Sequence, residues 1–116
     1  MHEGSIAKGI LDTAVAALPR PDAKITKITV IVGVMSGVER ECLDLYFAEM
    51  SKDTVAQGAA LELRRQPAKL VCTSCGQEEP YDNTGELAVH CAKCGQNNKL
   101  EGGNELYIES MEIDEK

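Results

Sequence analysis

The sequence is poor in aromatic residues, with no tryptophan, one phenylalanine and three tyrosines among its 116 residues. Single-stranded nucleic acids are held largely by stacking on aromatic side chains, and such a surface is hard to assemble here. The chain also lacks an excess of positive charge, because 19 acidic residues against 12 Lys and Arg give a formal net charge of −7. Nonspecific affinity for phosphate backbones comes from Lys and Arg, so we expect no nucleic-acid partner.

No apolar run approaches the roughly 20 residues that a membrane helix requires. The amino terminus has no basic region followed by a hydrophobic stretch and a cleavage site. We therefore expect a cytoplasmic protein with no membrane partner. The sequence does have a globular balance of 43% hydrophobic and 27% charged residues. Its length suits one ordinary domain, or a small domain that carries a smaller metal-stapled one, and is short for a large catalytic architecture.

Hydrophobic periodicity predicts two amphipathic helices. The first follows Ser5, which is a favourable N-cap, and is stopped by Pro19. The second follows the Ser36-Gly37 turn and ends near Gly58. Its apolar stripe contains Leu43, Phe47 and Met50.

Three segments predict strands. Residues from Lys24 to Met35 alternate with apolar side chains on both faces, which is typical of a central strand. A second strand is marked by Leu61 and Leu63, and a third by the segment from Glu105 to Ile113. We interpret this last strand as returning to the first sheet. The predicted fold class is α+β, a small mixed sheet with two helices, with a cysteine-rich insertion that divides the chain into a discontinuous domain (1–67 and 101–116) and a second domain (68–100).

Four of the five cysteines form two C-x-x-C pairs separated by fifteen residues. This spacing is typical of a zinc ribbon with four thiolate ligands, Cys72, Cys75, Cys91 and Cys94. The glycine after each pair permits a tight turn whose backbone N–H groups can support the thiolates. A rubredoxin-type iron site and a redox dithiol are the functional alternatives. We favour structural zinc, because four protein ligands fill a tetrahedral site and leave no open position for chemistry.

The remaining cysteine and the histidine of the ribbon receive no metal role from the sequence. Cys42 lies in the second predicted helix and is most simply a buried small hydrophobe. His90 directly precedes Cys91, and adjacent residues usually cannot reach one metal without strain. We expect His90 to be a solvated bystander, with a pH-dependent or metal-dependent exchange of ligands as the alternative.

His2 has an unusual position for a histidine. A metal could take three nitrogens there: the Met1 amine, the His2 amide and the His2 imidazole. The resulting five-membered and six-membered chelate rings suit nickel(II) or copper(II). On its own, a histidine in the second position is commonly an ordinary terminal residue.

Other motifs in the sequence support a metal-binding role for His2. They are the four-cysteine insertion together with Met1-His2-Glu3, Ser5-Ile6, Gly33, Ser36-Gly37-Val38-Glu39, Gly103-Asn104-Glu105-Leu106 and Ile108. In this order and at these distances the sequence resembles, nearly from end to end, the hydrogenase-maturation nickel metallochaperones called HypA or HybF.

The resemblance implies a nickel carrier with a structural zinc ribbon. Family members bind nickel through the side chain of His2 and nearby backbone nitrogens, and an acidic side chain proposed in some of them would map to Glu39. The implied partners are a nickel-inserting GTPase and the large-subunit precursor of [NiFe]-hydrogenase. Whether the chain forms a homodimer stays open.

Two other classes of protein fit the sequence less well than a nickel carrier. A zinc-ribbon adaptor in transcription or translation would need a basic ribbon surface, but residues 68–98 contain only Lys69 and Lys93 as basic side chains, against four acidic ones. An enzyme is disfavoured, because no Ser-His-Asp or paired-carboxylate arrangement is suggested and the two histidines belong to the terminus and the ribbon.

Overall fold

The computed structural model of the protein describes residues 3–114. These residues form two helices, α1 (Glu3–Ala16) and α2 (Arg40–Met50), and the strands β1 (Lys24–Gly33), β2 (Ala60–Gln66), β3 (Ala68–Cys72), β4 (Glu78–Tyr81), β5 (Asn98–Glu101) and β6 (Leu106–Asp114). The strands make two three-stranded sheets, with the orders β2-β1-β6 and β4-β3-β5. The predicted α+β class is confirmed. Within the described part of the chain, no helix is both long enough and apolar enough to cross a membrane.

The pairing of β1 with β2 is parallel. The N–H of Ile25 donates to the carbonyl of Val55 at 2.9 Å, and the N–H of Val34 donates to that of Gln66 at 2.9 Å. The residue numbers of donor and acceptor rise together along these two segments, which defines a parallel pair. Parallel strands need a crossover connection, and α2 supplies it.

The pairing of β1 with β6 is antiparallel. The Thr26 hydroxyl donates to the carbonyl of Glu112 at 3.1 Å, whereas the N–H of Gly33 donates to that of Glu105 at 2.7 Å. Partner numbers fall as β1 advances, so the first sheet is mixed, as predicted. The last strand does return to β1 after the cysteine-rich insertion.

Strand β1 is the centre of the hydrophobic core. Every residue from Ile28 to Gly33 is buried, which confirms the prediction of a strand covered on both faces. The helices contribute aliphatic side chains and the sole phenylalanine: Ala7, Ile10, Leu11 and Ala14 from α1, and Leu43 and Phe47 from α2. The core of the described residues therefore consists mainly of small and branched aliphatic side chains.

The boundaries of the helices differ from the sequence prediction. Helix α1 already includes Glu3, so Ser5 lies inside the helix and the prediction that it is the N-cap is wrong. Helix α2 ends at Met50 instead of near Gly58. The chain then turns, because the hydroxyl of Thr54 donates to the carbonyl of Ser51 at 2.6 Å and Ser51 is buried. Short side chains that bond to nearby backbone groups compete with helix continuation.

The described residues cluster into two compact units. The first contains residues 3–31, 37–64 and 107–114, and the second contains Val32–Ser36 and Arg65–Leu106. The division into a nickel-binding domain (1–67 and 101–116) and a zinc-ribbon domain (68–100) stays a prediction, because a compact unit is not by itself an independently folding domain.

Gly33 lies in very close contact with the backbone at Gly103. A β-carbon built on Gly33 would lie 2.0 Å from the carbonyl oxygen of Gly103. Hydrogen bonds on both sides hold the two segments together: Gly33 N–H to Glu105 O at 2.7 Å, and Met35 N–H to Gly103 O at 2.7 Å. Only glycine fits at position 33, since the obstacle is backbone and not a movable side chain.

Gly33→Ala is therefore expected to destabilise the protein strongly. We expect a loss of at least about 3 kcal/mol in the free energy of unfolding, the upper part of the usual range for overpacking. Urea unfolding of the zinc-loaded protein measures the change. Gly9→Ala is a matched control, because no atom lies within 4 Å of a β-carbon there, and an exposed helical Gly→Ala change stabilises by about 0.5–1 kcal/mol. Equal stability of the two variants would contradict the close contact.

Candidate metal centre

The four paired cysteines lie on two similar turns of the second compact unit. Cys72 is the last residue of β3, and Cys75 follows in the turn before β4. Cys91 and Cys94 lie in the turn before β5. Strand β3 pairs antiparallel with both β4 and β5, with Val71 opposite Glu78 and Lys99. This three-stranded sheet brings the two turns to the same end.

The sulfur atoms of these cysteines converge on one point. All four Sγ atoms lie within 4.8 Å of one another. Two of the sulfur–sulfur distances are 3.4 Å for Cys72–Cys94 and 3.7 Å for Cys75–Cys91. A tetrahedral zinc with Zn–S bonds of 2.3 Å separates its sulfurs by about 3.8 Å. The donor set and its spacing therefore fit one tetrahedral thiophilic metal ion.

Each turn has the same backbone hydrogen bonds. The Gly76 N–H donates to the carbonyl of Cys72 at 3.2 Å, and the Gly95 N–H donates to that of Cys91 at 2.8 Å. Both glycines have a positive φ, 77° and 80°, which a side chain would strain. The glycine after each cysteine pair thus has the turn-forming role that the sequence predicted.

Backbone N–H groups also point at two of the sulfurs. Cys72 Sγ accepts from Cys75 N at 3.3 Å and from Ser74 N at 3.4 Å, and Cys91 Sγ accepts from Lys93 N at 3.3 Å. The sequence predicted such support but could not identify its donors. The donors are backbone N–H groups of residues within each C-x-x-C pair. The identities of these residues do not indicate which N–H groups will contact the sulfurs.

These contacts change the acidity of the thiols. The N–H groups of Cys75 and Ser74 lower the pKa of Cys72 to about 6, although burial opposes them. The N–H of Cys94 similarly lowers the pKa of Cys91. At Cys94 the N–H of Gln96 lowers the pKa, but the neighbouring sulfurs, beginning with that of Cys72, and burial outweigh it and raise the pKa to about 12.

The opposite shifts within one cluster have a simple electrostatic reason. Two thiolates are favoured by backbone dipoles, and the negative charge they bring opposes the ionisation of a further thiol. Four thiolates at this spacing need a cation among them. Metal binding would therefore release protons and complete the charge balance of the cluster.

The remaining histidine and cysteine of the described chain lie outside this cluster. His90 is exposed and makes an isolated β-bridge with Asn97. Cys42 is half-buried, so the prediction of a buried hydrophobe is wrong. Its sulfur lies 3.5 Å from Oε2 of Glu39, at the start of α2.

The predicted nickel ligand His2 lies outside the described residues. Its neighbour Glu3 is described, and Oε2 of Glu3 accepts a hydrogen bond from the N–H of Glu39 at 3.0 Å. The pKa of Cys42 is raised, first by its hydrogen bond with Glu39, then by burial and by the charges of Glu39, Glu3 and Glu41. Several carboxylates therefore lie around the start of α2, and one of them, Glu3, directly follows His2 in the sequence. Sequence reasoning singled out Glu39 but missed the contact made by Glu3.

Comparison with known proteins finds a matching family model and related proteins over nearly the whole chain. Residues 1–113 match the family model described as HypA, hydrogenase/urease nickel incorporation, metallochaperone. A hydrogenase maturation factor HypA of Dehalococcoides mccartyi is 40% identical over 118 aligned positions, covering 100% of this chain and 97% of that protein. The factor of the same name from Caldanaerobacter subterraneus subsp. tengcongensis is 37% identical, covering 98% of this chain and 100% of that protein.

Two solved structures share the fold. The solution structure of the Ni metallochaperone HypA from Helicobacter pylori superposes with a TM-score of 0.63 at 22% identity, covering 97% of each chain. A structure described as the solution structure of HypA protein has a TM-score of 0.60 at 20% identity, and covers 96% of this chain and 91% of its own. At these identities the agreement concerns the arrangement of the backbone.

Proposed function

Because the chain belongs to the HypA family of hydrogenase maturation factors, we propose that it binds nickel(II) at its amino terminus through His2 and delivers the ion to the [NiFe]-hydrogenase precursor. The family is one of nickel metallochaperones, so the chain is not an enzyme. The proposal concerns the location of the nickel ligands, the partners of delivery and the metal of the four-cysteine cluster. Nickel is cargo here, and the cysteine cluster serves the fold.

The observation that supports a terminal site is the concentration of negative charge around Glu3, the first residue that the structure describes. The carboxylates of Glu3, Glu39 and Glu41 act together on the thiol of Cys42 at the start of α2. Glu3 is also the residue that follows His2 in the sequence. A divalent cation bound near His2 would lower the mutual repulsion of these carboxylates. The described residues at the start of α2 thus carry charge of the sign that attracts Ni²⁺.

A terminal site also suits the task of a carrier, which must release its ion. The Met1 amine and the His2 imidazole bind nickel only when deprotonated. Their usual pKa values are about 7.7–8.0 and about 6.5, so protons compete with the metal near neutrality. The affinity is therefore moderate, and a partner with more ligands can take the ion.

For the cysteine cluster we propose a structural zinc held by Cys72, Cys75, Cys91 and Cys94. Four converging sulfurs form a closed site, which is typical of structural zinc and leaves no position for a substrate. The short strands around it have few buried aliphatic side chains, chiefly Ala68 and Leu70. Such a small core needs a metal to stay folded.

The adaptor alternative lacks support from the ribbon surface. Lys69 lies 3.5 Å from a carboxylate oxygen of Glu78, and Lys99 lies 2.9 Å from one of Glu101. These ion pairs reduce the positive potential that a nucleic-acid-binding ribbon would present. We infer that the partners are proteins of the maturation pathway: the nickel-inserting GTPase and the hydrogenase large-subunit precursor. The cytoplasmic location and a homodimer stay predictions.

A blocked amino terminus tests the proposed nickel site. A short extension before Met1 removes the terminal amine as a donor, and we expect nickel affinity to fall more than about tenfold. Calorimetry on the zinc-loaded protein measures it. Proteolytic removal of the extension, which restores a chain beginning at Met1, is the control and should recover the affinity. If the extended protein binds nickel as well as the cleaved one, the site is elsewhere.

A further inference from the structure

We propose that one face of the ribbon sheet β4-β3-β5 is a docking surface for a basic amphipathic helix of a partner protein. This surface, the apolar ribbon face, consists of Leu70, Leu100 and Val89, with Glu79 at its border. The inference goes beyond the nickel site and does not depend on it, because every residue of this surface lies in the second compact unit.

Strand pairing places three of these residues on one face of the sheet. Leu70 lies opposite Glu79 of β4 and opposite Leu100 of β5. Residues that lie directly opposite each other in an antiparallel pair have neighbouring side chains on the same face. The row across the three strands is therefore Glu79, Leu70 and Leu100, with the acidic side chain at one end.

A short segment beside β5 adds Val89 to this face. His90 forms an antiparallel bridge with Asn97, which makes Val89 the residue opposite Asn98. The N–H of Asn98 donates to the carbonyl of Val89 at 2.9 Å, as this register requires. Asn98 and Leu100 are two residues apart in β5 and share a face. Val89 is thus a neighbour of Leu100 on the same face.

The apolar ribbon face is covered at one end and exposed at the other. Ala68, two residues before Leu70 in β3, is fully buried, and a β-carbon built on Gly103 would lie 2.8 Å from its β-carbon. Leu70 is 5% exposed, whereas Leu100 is 39% and Val89 is 57% exposed. Single exposed apolar side chains are common on protein surfaces, but neighbouring ones are typical of an interaction site.

The other face of the same sheet is charged, and its charges are paired within the ribbon. Lys69 lies 3.5 Å from a carboxylate oxygen of Glu78, and Lys99 lies 2.9 Å from one of Glu101. The register places all four side chains on the face opposite to Leu70. The carboxylates of this face therefore already have cationic partners.

Acidic side chains on and beside the apolar ribbon face lack such partners. Among residues 3–114, no lysine or arginine forms an ion pair with Glu79, or with Glu86, which directly precedes the exposed Leu87. Both carboxylates are exposed. A partner that covers Leu100 and Val89 brings its own charges close to them. Opposite charges steer association and like charges reduce affinity, so the fitting partner is basic.

The width of the surface favours a helix as the occupant. Neighbouring strands are about 4.8 Å apart, so the distance from Leu70 across β5 to Val89 is about 10 Å. This is close to the diameter of an α-helix with its side chains, about 10–12 Å. A sheet face commonly buries its apolar side chains against the apolar stripe of such a helix. The chemistry of the partner is therefore an apolar helical stripe flanked by lysine or arginine.

The test uses two synthetic helical peptides with the same stripe of leucines and a polar face of either lysines or glutamates. Fluorescence anisotropy of the labelled peptides, titrated with zinc-loaded protein without nickel, measures their affinity. We expect the lysine peptide to bind, with an affinity that falls as salt is added, and the glutamate peptide to bind at least about tenfold more weakly. Methyl NMR shifts of Leu100 and Val89 should follow the titration with the lysine peptide.

Neighbouring residues on the two faces provide matched variants. Glu79→Gln should weaken binding of the lysine peptide about two- to fivefold, the effect of one exposed ion pair. Glu78→Gln makes the same change in charge on the opposite face and should weaken it less than about twofold. Val89→Lys should weaken it more than about tenfold, because it removes an apolar contact and adds a like charge. Leu45→Lys, at an exposed position of α2, is its control and should have little effect.

Several results would overturn the inference. Equal affinity for the two peptides, or no binding of either, would show that a basic helix is not the occupant. Equal losses in Val89→Lys and Leu45→Lys, or in Glu79→Gln and Glu78→Gln, would make the attraction nonspecific. A dimer of the protein alone that Val89→Lys dissociates, measured by analytical ultracentrifugation, would make a second copy the occupant. Zinc content shows whether each ribbon stays folded, and Glu79→Gln against Glu78→Gln decides the matter if Val89→Lys loses its zinc.

Discussion

His2→Ala is expected to weaken nickel(II) binding more than about 100-fold, because removing a ligand costs more than the 10- to 100-fold typical of residues that only orient one. The zinc content and the fold should not change. The four-cysteine cluster lies on β3 and on the turns before β4 and β5, and the described core contains neither histidine. Equilibrium dialysis or calorimetry of the zinc-loaded protein measures the loss.

The second histidine of the chain provides the matched control for this experiment. His90 is exposed on the ribbon and is not one of the clustered ligands, so His90→Ala should bind nickel normally. Nickel affinity of the unchanged protein should also fall as the pH drops through about 6.5, where the imidazole takes up a proton. Equal affinity of His2→Ala and the unchanged protein would refute a terminal site, and a loss on His90→Ala instead would move the site to the ribbon.

Cys75→Ala is expected to release the metal of the ribbon and to unfold the strands around it. The native protein should retain one zinc ion per chain through purification, and this variant close to none, because a closed four-thiolate site needs every ligand. The binding energy of such a metal is also the folding energy of its module, about 10–16 kcal/mol in zinc-finger peptides. Residues of about 68–98 should lose ordered NMR signals while the sheet β2-β1-β6 persists.

The choice of Cys75 makes this result easy to interpret. Its side chain is exposed, so alanine leaves no cavity and the effect comes from the lost ligand. Cys42→Ala is the matched control, since that cysteine lies outside the cluster and should leave the zinc content unchanged. Elemental analysis of both variants provides the measurement. Iron in the native protein, or no metal at all, would contradict the structural zinc.

The ribbon could be predicted from the sequence because the residues that form each of its turns lie close together in the chain. Two C-x-x-C-G units give the ligands, the tight turns and the positive φ of Gly76 and Gly95 within a few residues each. The central position of β1 was equally visible, since both faces of the segment after Lys27 are apolar. Strand β6 could be assigned to the first sheet because its apolar residues need a partner outside the ribbon.

The parts that the sequence did not predict depend on distant contacts. Helix α1 already includes Glu3, and the carboxylate of Glu3 accepts a hydrogen bond from the N–H of Glu39. Nothing in either segment alone encodes that bond. Helix α2 ends at Met50 although apolar residues continue, because Ser51 and Thr54 bond locally and Ala56 is buried outside the helix.

The register of β3 with β5 has a consequence for how the first sheet closes. Strand β6 can join β1 only after the chain has passed through roughly 40 residues that follow β2, and closing a flexible loop costs entropy that grows with its length. In the folded ribbon Lys69 lies opposite Glu101, so the two ends of the insertion are neighbours. The loop that β6 must close is then only a few residues long, which lowers the entropic cost by about 1.5 kcal/mol. Metal captured by the cysteines would thus favour completion of a sheet to which it is not bound. Strand β6 is made after the ribbon during synthesis, so a ribbon that has already folded would shorten the distance that β6 must close to reach β1.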